Sequence, residues 1–116
     1  MRYLMLVCVA PTGEPADPGR PVGTAPAEID VDTWVEEMDG RGARLIGERI
    51  RPVGDSTTVR VRGGEILLTD GPFAETKDLI AGFDVIECAD LDEAVEIAAR
   101  HPMARGGALE LRPFWE

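Results

Sequence analysis

The stretch YLMLVCV at positions 3–9 is apolar at every consecutive residue. A strand with one face in water alternates apolar with polar side chains, so an unbroken run belongs at the centre of a sheet covered on both faces. Whatever fold the chain adopts must therefore supply two covers for one strand. The 116 residues suffice for a single domain spanning 1–116 and are too few for two ordinary ones. The 44% hydrophobic and 29% charged content is that of a soluble globular protein. A formal charge of -10 repels phosphate backbones, which makes nucleic acid an unsuitable direct partner.

The start of the chain, MRYLMLVCVAP, has the apolar core of a short secretion signal. It lacks a small-residue cleavage site, and Val7 stands before Cys8 where a lipoprotein signal needs a small residue. The stretch is read as an opening strand. Apolar segments stay well short of the roughly 20 residues that span a bilayer, so no membrane association is expected. Cys8 and Cys88 both sit in apolar runs, where a buried free thiol is the common state, and this points to the cytoplasm.

Five prolines and three glycines crowd the positions from Pro11 to Pro26, so residues 11–28 form a long loop. Loops of that length are either functional lids or disordered excursions, and the residues leave both open. Val31, Trp34, Val35 and Met38 then fall at i, i+3, i+4 and i+7, one stripe of an amphipathic helix. Asp30 or Asp32 suits its N-cap and Gly40 or Gly42 its end. ARLIGERIR at 43–51 reads as a strand. TTVRVR at 57–62, Gly63-Gly64 and EILLT make a β-hairpin, because glycine tolerates the positive φ of a two-residue turn. AGFDVIEC is a further strand, with Phe83 and Val85 sharing one face. Asp90 and Glu93 resemble a capping box for a second helix with the stripe Leu91, Ala94, Val95 and Ala98, stopping near His101-Pro102. GALELRPF closes the chain as a strand.

This order predicts an α+β fold, a ferredoxin-like sandwich with two helices on one face of an antiparallel sheet. The helices give the first strand one cover. The simplest second cover is another copy of the chain, sheet against sheet in a homodimer.

TDGPFAETKD at 69–78, with Gly82-Phe83, ELRPFW at 110–115, the opening MRYLMLV and DLDEAVEIAARHP, resembles the DGPF group of the YCII-related family. The resemblance covers nearly the whole chain apart from the proline-rich loop. It implies a ferredoxin-like fold of the dimeric α/β-barrel type. Members resembling this group are mostly uncharacterised, and some are encoded beside, or fused to, extracytoplasmic-function sigma factors, which makes such a factor a candidate partner. A few YCII-like relatives are small lyases acting on chlorinated aromatic intermediates with a His on the first helix and an Asp in a D-P-Y motif. Here the first helix, IDVDTWVEEMDG, has no histidine, and the D-P-Y position reads His101-Pro102-Met103. The inherited dyad is absent.

The residues themselves offer a candidate ligand site in Asp70, Phe73, Glu75, Lys77, His101 and Arg105. Asp70-Gly71-Pro72 has an ordinary role as a turn, Phe73 as core, and the Glu75–Lys77 pair as exposed charges. Together they also suit a small-molecule cleft with Phe73 as its apolar wall. His101 is the only histidine; it fits a helix C-terminus, where imidazolium interacts favourably with the dipole, or the mouth of a pocket. The expected function is a homodimeric small-molecule-binding or regulatory-accessory module. The alternative is a cofactor-free lyase or isomerase using His101 with Asp70 or Glu75. With one histidine and two separated cysteines, no metal or other cofactor is expected. Six arginines between Arg41 and Arg62 read as a solvated strand face or as a surface for an anionic partner.

Overall fold

A computed structural model describes residues 1–9, 19–71 and 79–115. Its elements are β1 (Arg2–Val9), α1 (Val31–Gly40), β2 (Arg44–Arg49), β3 (Thr57–Arg62), β4 (Glu65–Asp70), β5 (Leu79–Glu87), α2 (Leu91–Arg100), α3 (Met103–Gly106) and β6 (Ala108–Pro113), with one 3-10 turn at Val53–Asp55. Four strands form an open antiparallel sheet in the order β2-β5-β1-β6, while β3 and β4 form a separate two-stranded sheet among the described residues. With the hairpin set aside, the order β-α-β-β-α-β and the placing of β1 and β5 at the centre fit a ferredoxin-like fold. The expected succession of strands, helices and hairpin is found; α3 and the 3-10 turn are additions.

The apolar opening run becomes central β1, with β5 on one side and β6 on the other. Tyr3, Met5 and Val7 are buried on the side of the helices, whereas Leu4 and Leu6 are half-buried on the opposite side. Phe83 and Val85 share that second face, lying opposite Leu6 and Leu4. The helix-side core is built from Tyr3, Met5, Trp34, Met38, Ala43, Ile86, Cys88, Ala94, Ile97 and Ala98. Trp34 is fully buried, and its indole N–H donates to the Ile97 carbonyl at 3.0 Å, tying α1 to α2. Truncating such a Trp to Ala costs about 3–5 kcal/mol in protein cores. A two-pronged ion pair from Arg100 to Glu37, at 2.7 and 2.9 Å, joins the same helices.

Local signals explain the helix ends. The Asp30 carboxylate accepts from the Thr33 N–H at 2.7 Å, and that bond holds its pKa below the ordinary value. Gly42, just past the end of α1, takes the positive φ (68°) that glycine tolerates. Asp90 caps α2 through the Glu93 N–H, while the Glu93 carboxylate returns to the N–H of Ala89 rather than of the cap itself.

The stripe expected on α2 needs correction. Leu91 and Val95 are exposed, and the buried side is Ala94, Ile97 and Ala98. The spacing i, i+3, i+4 continues to i+7 at His101, which is 4% exposed. The lone histidine thus lies on the inward line of the helix that it ends.

Candidate functional site

A cleft of about 650 Å³ opens between the start of α1, the β2–β5 edge of the sheet and the His101–Met103 corner. Trp34, Val35, Val7 and Met103 supply apolar wall, and Arg44, Asp84 and His101 converge on it as polar groups. That size and mixture are typical of small-molecule sites.

The ion pair depends on an irregularity in β2. Arg44 lies opposite Ile86, but Ile46 already lies opposite Val85, so Leu45 is an extra residue on the β2 side. Such a bulge reverses the alternation of side chains. Arg44 and Gly47, three apart, are thereby brought to the helix side together, beside Asp84. Arg44 Nε donates to Asp84 Oδ1 at 2.8 Å, Nη2 to the Gly47 carbonyl at 3.0 Å and Nη1 to Asp39 at 3.4 Å. Gly47 is needed for this approach: a Cβ there would fall on Asp84 Oδ1 and within 2.6 Å of Arg44 Nη2. Burial pushes the Asp84 carboxyl above its ordinary pKa, with the Arg44 guanidinium pulling the other way. The pair closes the floor of the cleft and satisfies a charge that would be costly alone.

His101 forms the opposite corner. Its Nδ1 accepts the Met103 N–H at 3.0 Å, and its ring meets the Trp34 indole edge to face, with centroids 4.7 Å apart. Pro102 has no N–H, which makes Met103 the first backbone donor within reach. Burial lowers the His101 pKa and favours the neutral ring.

Of the residues singled out in the sequence, His101 lines this cleft. Asp70 ends the hairpin instead: it is exposed, lies opposite Thr57, and precedes Gly71 with φ 102°. Arg105 sits on α3 and donates to the Pro26 carbonyl at 2.6 Å, anchoring the segment that leads into α1. Phe73, Glu75 and Lys77 lie outside the described residues. The arginines between 41 and 62 are divided rather than gathered: Arg44 enters the buried pair, Arg41 meets Glu96, Arg51 meets Asp55, and Arg49 stands at the cleft.

Trp34 was read only as part of the α1 stripe and Arg44 only as one of the arginine cluster, and Gly47 and Asp84 were not singled out. Asp84 had a readable signal, because a carboxylate inside the apolar strand AGFDVIEC requires a partner if its face is buried. Arg44 carried none; its inward turn depends on the bulge.

Among the described residues, no group of three or more His, Cys, Asp or Glu is placed to hold a metal ion, and no helix is long and apolar enough to cross a membrane. Both cysteines are buried free thiols. Across residues 1–116 the chain matches the family described as the YCII-related domain. A stretch of 68 residues is 43% identical to an uncharacterised protein of Rhizobium meliloti (strain 1021), covering 57% of this chain and 55% of that one. The likeness to that relative therefore spans little more than half of either protein.

Proposed function

The chain belongs to the YCII-related family, and from that premise we propose that it is a homodimeric module that binds a small molecule in the cleft between α1 and the sheet. The observation that carries this reading is the cleft itself, where an apolar wall built on Trp34 surrounds the Arg44–Asp84 pair and His101. A regulatory-accessory role, with a sigma factor or similar protein as partner, fits a module that binds without reacting. The alternative lyase or isomerase, pairing His101 with Asp70 or Glu75, gains no support from the cleft: among the described residues its lining includes His101 and not Asp70, and Glu75 lies outside them.

The face turned away from the helices supports the dimer reading. Leu4, Leu6, Phe83 and Val85 are half-buried there, Ile46 is exposed beside them, and the Glu110–Arg112 pair borders them on β6. A second copy placed sheet to sheet covers this patch with its own equivalent, the closed solution a two-fold axis provides and the basis of the dimeric barrel form. The buried free thiols fit a reducing cytoplasm.

Native mass spectrometry of the purified protein tests both parts. The expected spectrum is a dimer that retains a small molecule at low collision energy and releases it as that energy rises. A monomer overturns the assembly. A dimer whose mass stays unchanged after incubation with cell-derived metabolite extract overturns the binding reading.

A further inference from the structure

Resting on the proposed binding cleft, the chemistry of its corners can be taken one step further, to the class of ligand. We infer that His101 is the ligand-orienting donor of the cleft, presenting Nε2–H to an uncharged oxygen acceptor (a ketone, ester or amide carbonyl) on a small apolar body.

Three observations converge on the donor. Nδ1 is occupied by the Met103 N–H at 3.0 Å, and an imidazole that accepts there carries its proton on Nε2 when neutral. No hydrogen bond to Nε2 is found among the described residues, yet no buried side-chain nitrogen or oxygen lacks a partner, so Nε2 keeps contact with solvent. His101 lines the cleft, and that is where its solvent lies. The ring is held on two sides, by the Met103 bond and by the Trp34 indole. A donor fixed in this way orients a ligand without first losing rotamer freedom.

The charges around it select an uncharged acceptor. Asp30, Asp32 and Asp84 line the cleft against Arg44 and Arg49, three carboxylates to two guanidiniums, while Glu48, opposite Phe83, belongs to the other face of the sheet. The guanidinium of Arg44 is committed to Asp84, Gly47 and Asp39. A carboxylate or phosphate would enter against net negative charge, whereas a carbonyl needs only the neutral N–H and the apolar walls.

The test uses matched probes and the single histidine. Acetophenone, ethylbenzene and benzoate share a ring and differ in what they offer a donor. Each is titrated into the intact protein while long-range proton–nitrogen NMR follows the one imidazole. The expected result is an Nε2-protonated ring near neutral pH, a shift of Nε2 with acetophenone, and acetophenone binding about fivefold more tightly than ethylbenzene, the value of one neutral hydrogen bond. His101→Phe should erase that difference, acetophenone then binding no more tightly than ethylbenzene. If ethylbenzene matches acetophenone in the native protein, the cleft binds but His101 does not select, and the inference falls alone. Tighter benzoate binding overturns the uncharged class. If none of the three binds, the cleft reading and this inference fall together. The native-protein titration decides the matter even if His101→Phe does not fold.

Discussion

At the scale of single residues, the cleft rests on two positions whose neighbours leave little choice. Gly47 lets Asp84 and Arg44 meet over β2, and any side chain there displaces one of them. Gly47→Ala should therefore destabilise the protein by about 1–3 kcal/mol, the usual cost of forcing atoms into a packed site. Urea unfolding measures this, and an unchanged midpoint would mean that the pair swings aside freely. His101 has a pH signature. Its folded pKa is lowered by burial, so the unfolded chain binds the proton more tightly. Its contribution to stability is fully present above the ordinary value of about 6.5 and is lost as pH falls below it. Asp84 acts in the opposite sense: its raised pKa contributes stability that diminishes as pH climbs past the ordinary carboxyl value. Melting curves between about pH 7 and pH 5 should show an acid-side loss that is absent in His101→Gln; equal loss in both proteins would assign it to other groups. Sequence reading found His101 because it is the lone histidine, but it missed the pairing of Arg44 with Asp84, since that contact joins two strands 40 positions apart.

Elements were more legible than contacts. The hairpin is found at 57–62 and beyond, with Gly63 and Gly64 at φ 60° and 79°, because turn chemistry is local and glycine alone adopts it without strain. Both helix starts were readable for the same reason. Asp90→Ala should cost about 1 kcal/mol through the lost bond to the Glu93 N–H, seen as a lower denaturation midpoint with unchanged slope. A neutral result would indicate that Glu93 and solvent replace the cap. Less legible was the rotation of α2. Leu91 and Val95 are as apolar as Ile97, so hydrophobicity alone allowed two overlapping stripes, and packing against Trp34 and the sheet chose the one ending at His101. The bulge at Leu45 left no mark in the sequence, because RLIGER alternates neither way.

For the whole molecule, the two-faced apolar character of β1 was the most informative signal, and the sheet order bears it out: β1 is central, with helices against one side. The other side carries the expectation of a second subunit. Leu6 sits half-buried in the middle of that patch. If the proposed dimer forms through this face, Leu6→Glu should yield a folded monomer, read as half the sedimentation mass of the native protein with unchanged circular dichroism. A mutant that remains dimeric would move the interface elsewhere, for instance to the hairpin, where Val59, Val61, Ile66 and Leu68 are exposed on one side.

The contact between Trp34 and His101 gives the molecule an optical property of its own. An imidazolium against an indole quenches its emission, whereas a neutral ring does so far less. The chain has two tryptophans, and the other, Trp115, is wholly exposed near the end of the described chain. Replacing Trp115 by Phe would leave one fluorophore, packed against the one histidine, in the wall of the cleft. Its brightness would then follow the protonation of that corner directly, so the site carries its own indicator dye without any label being attached.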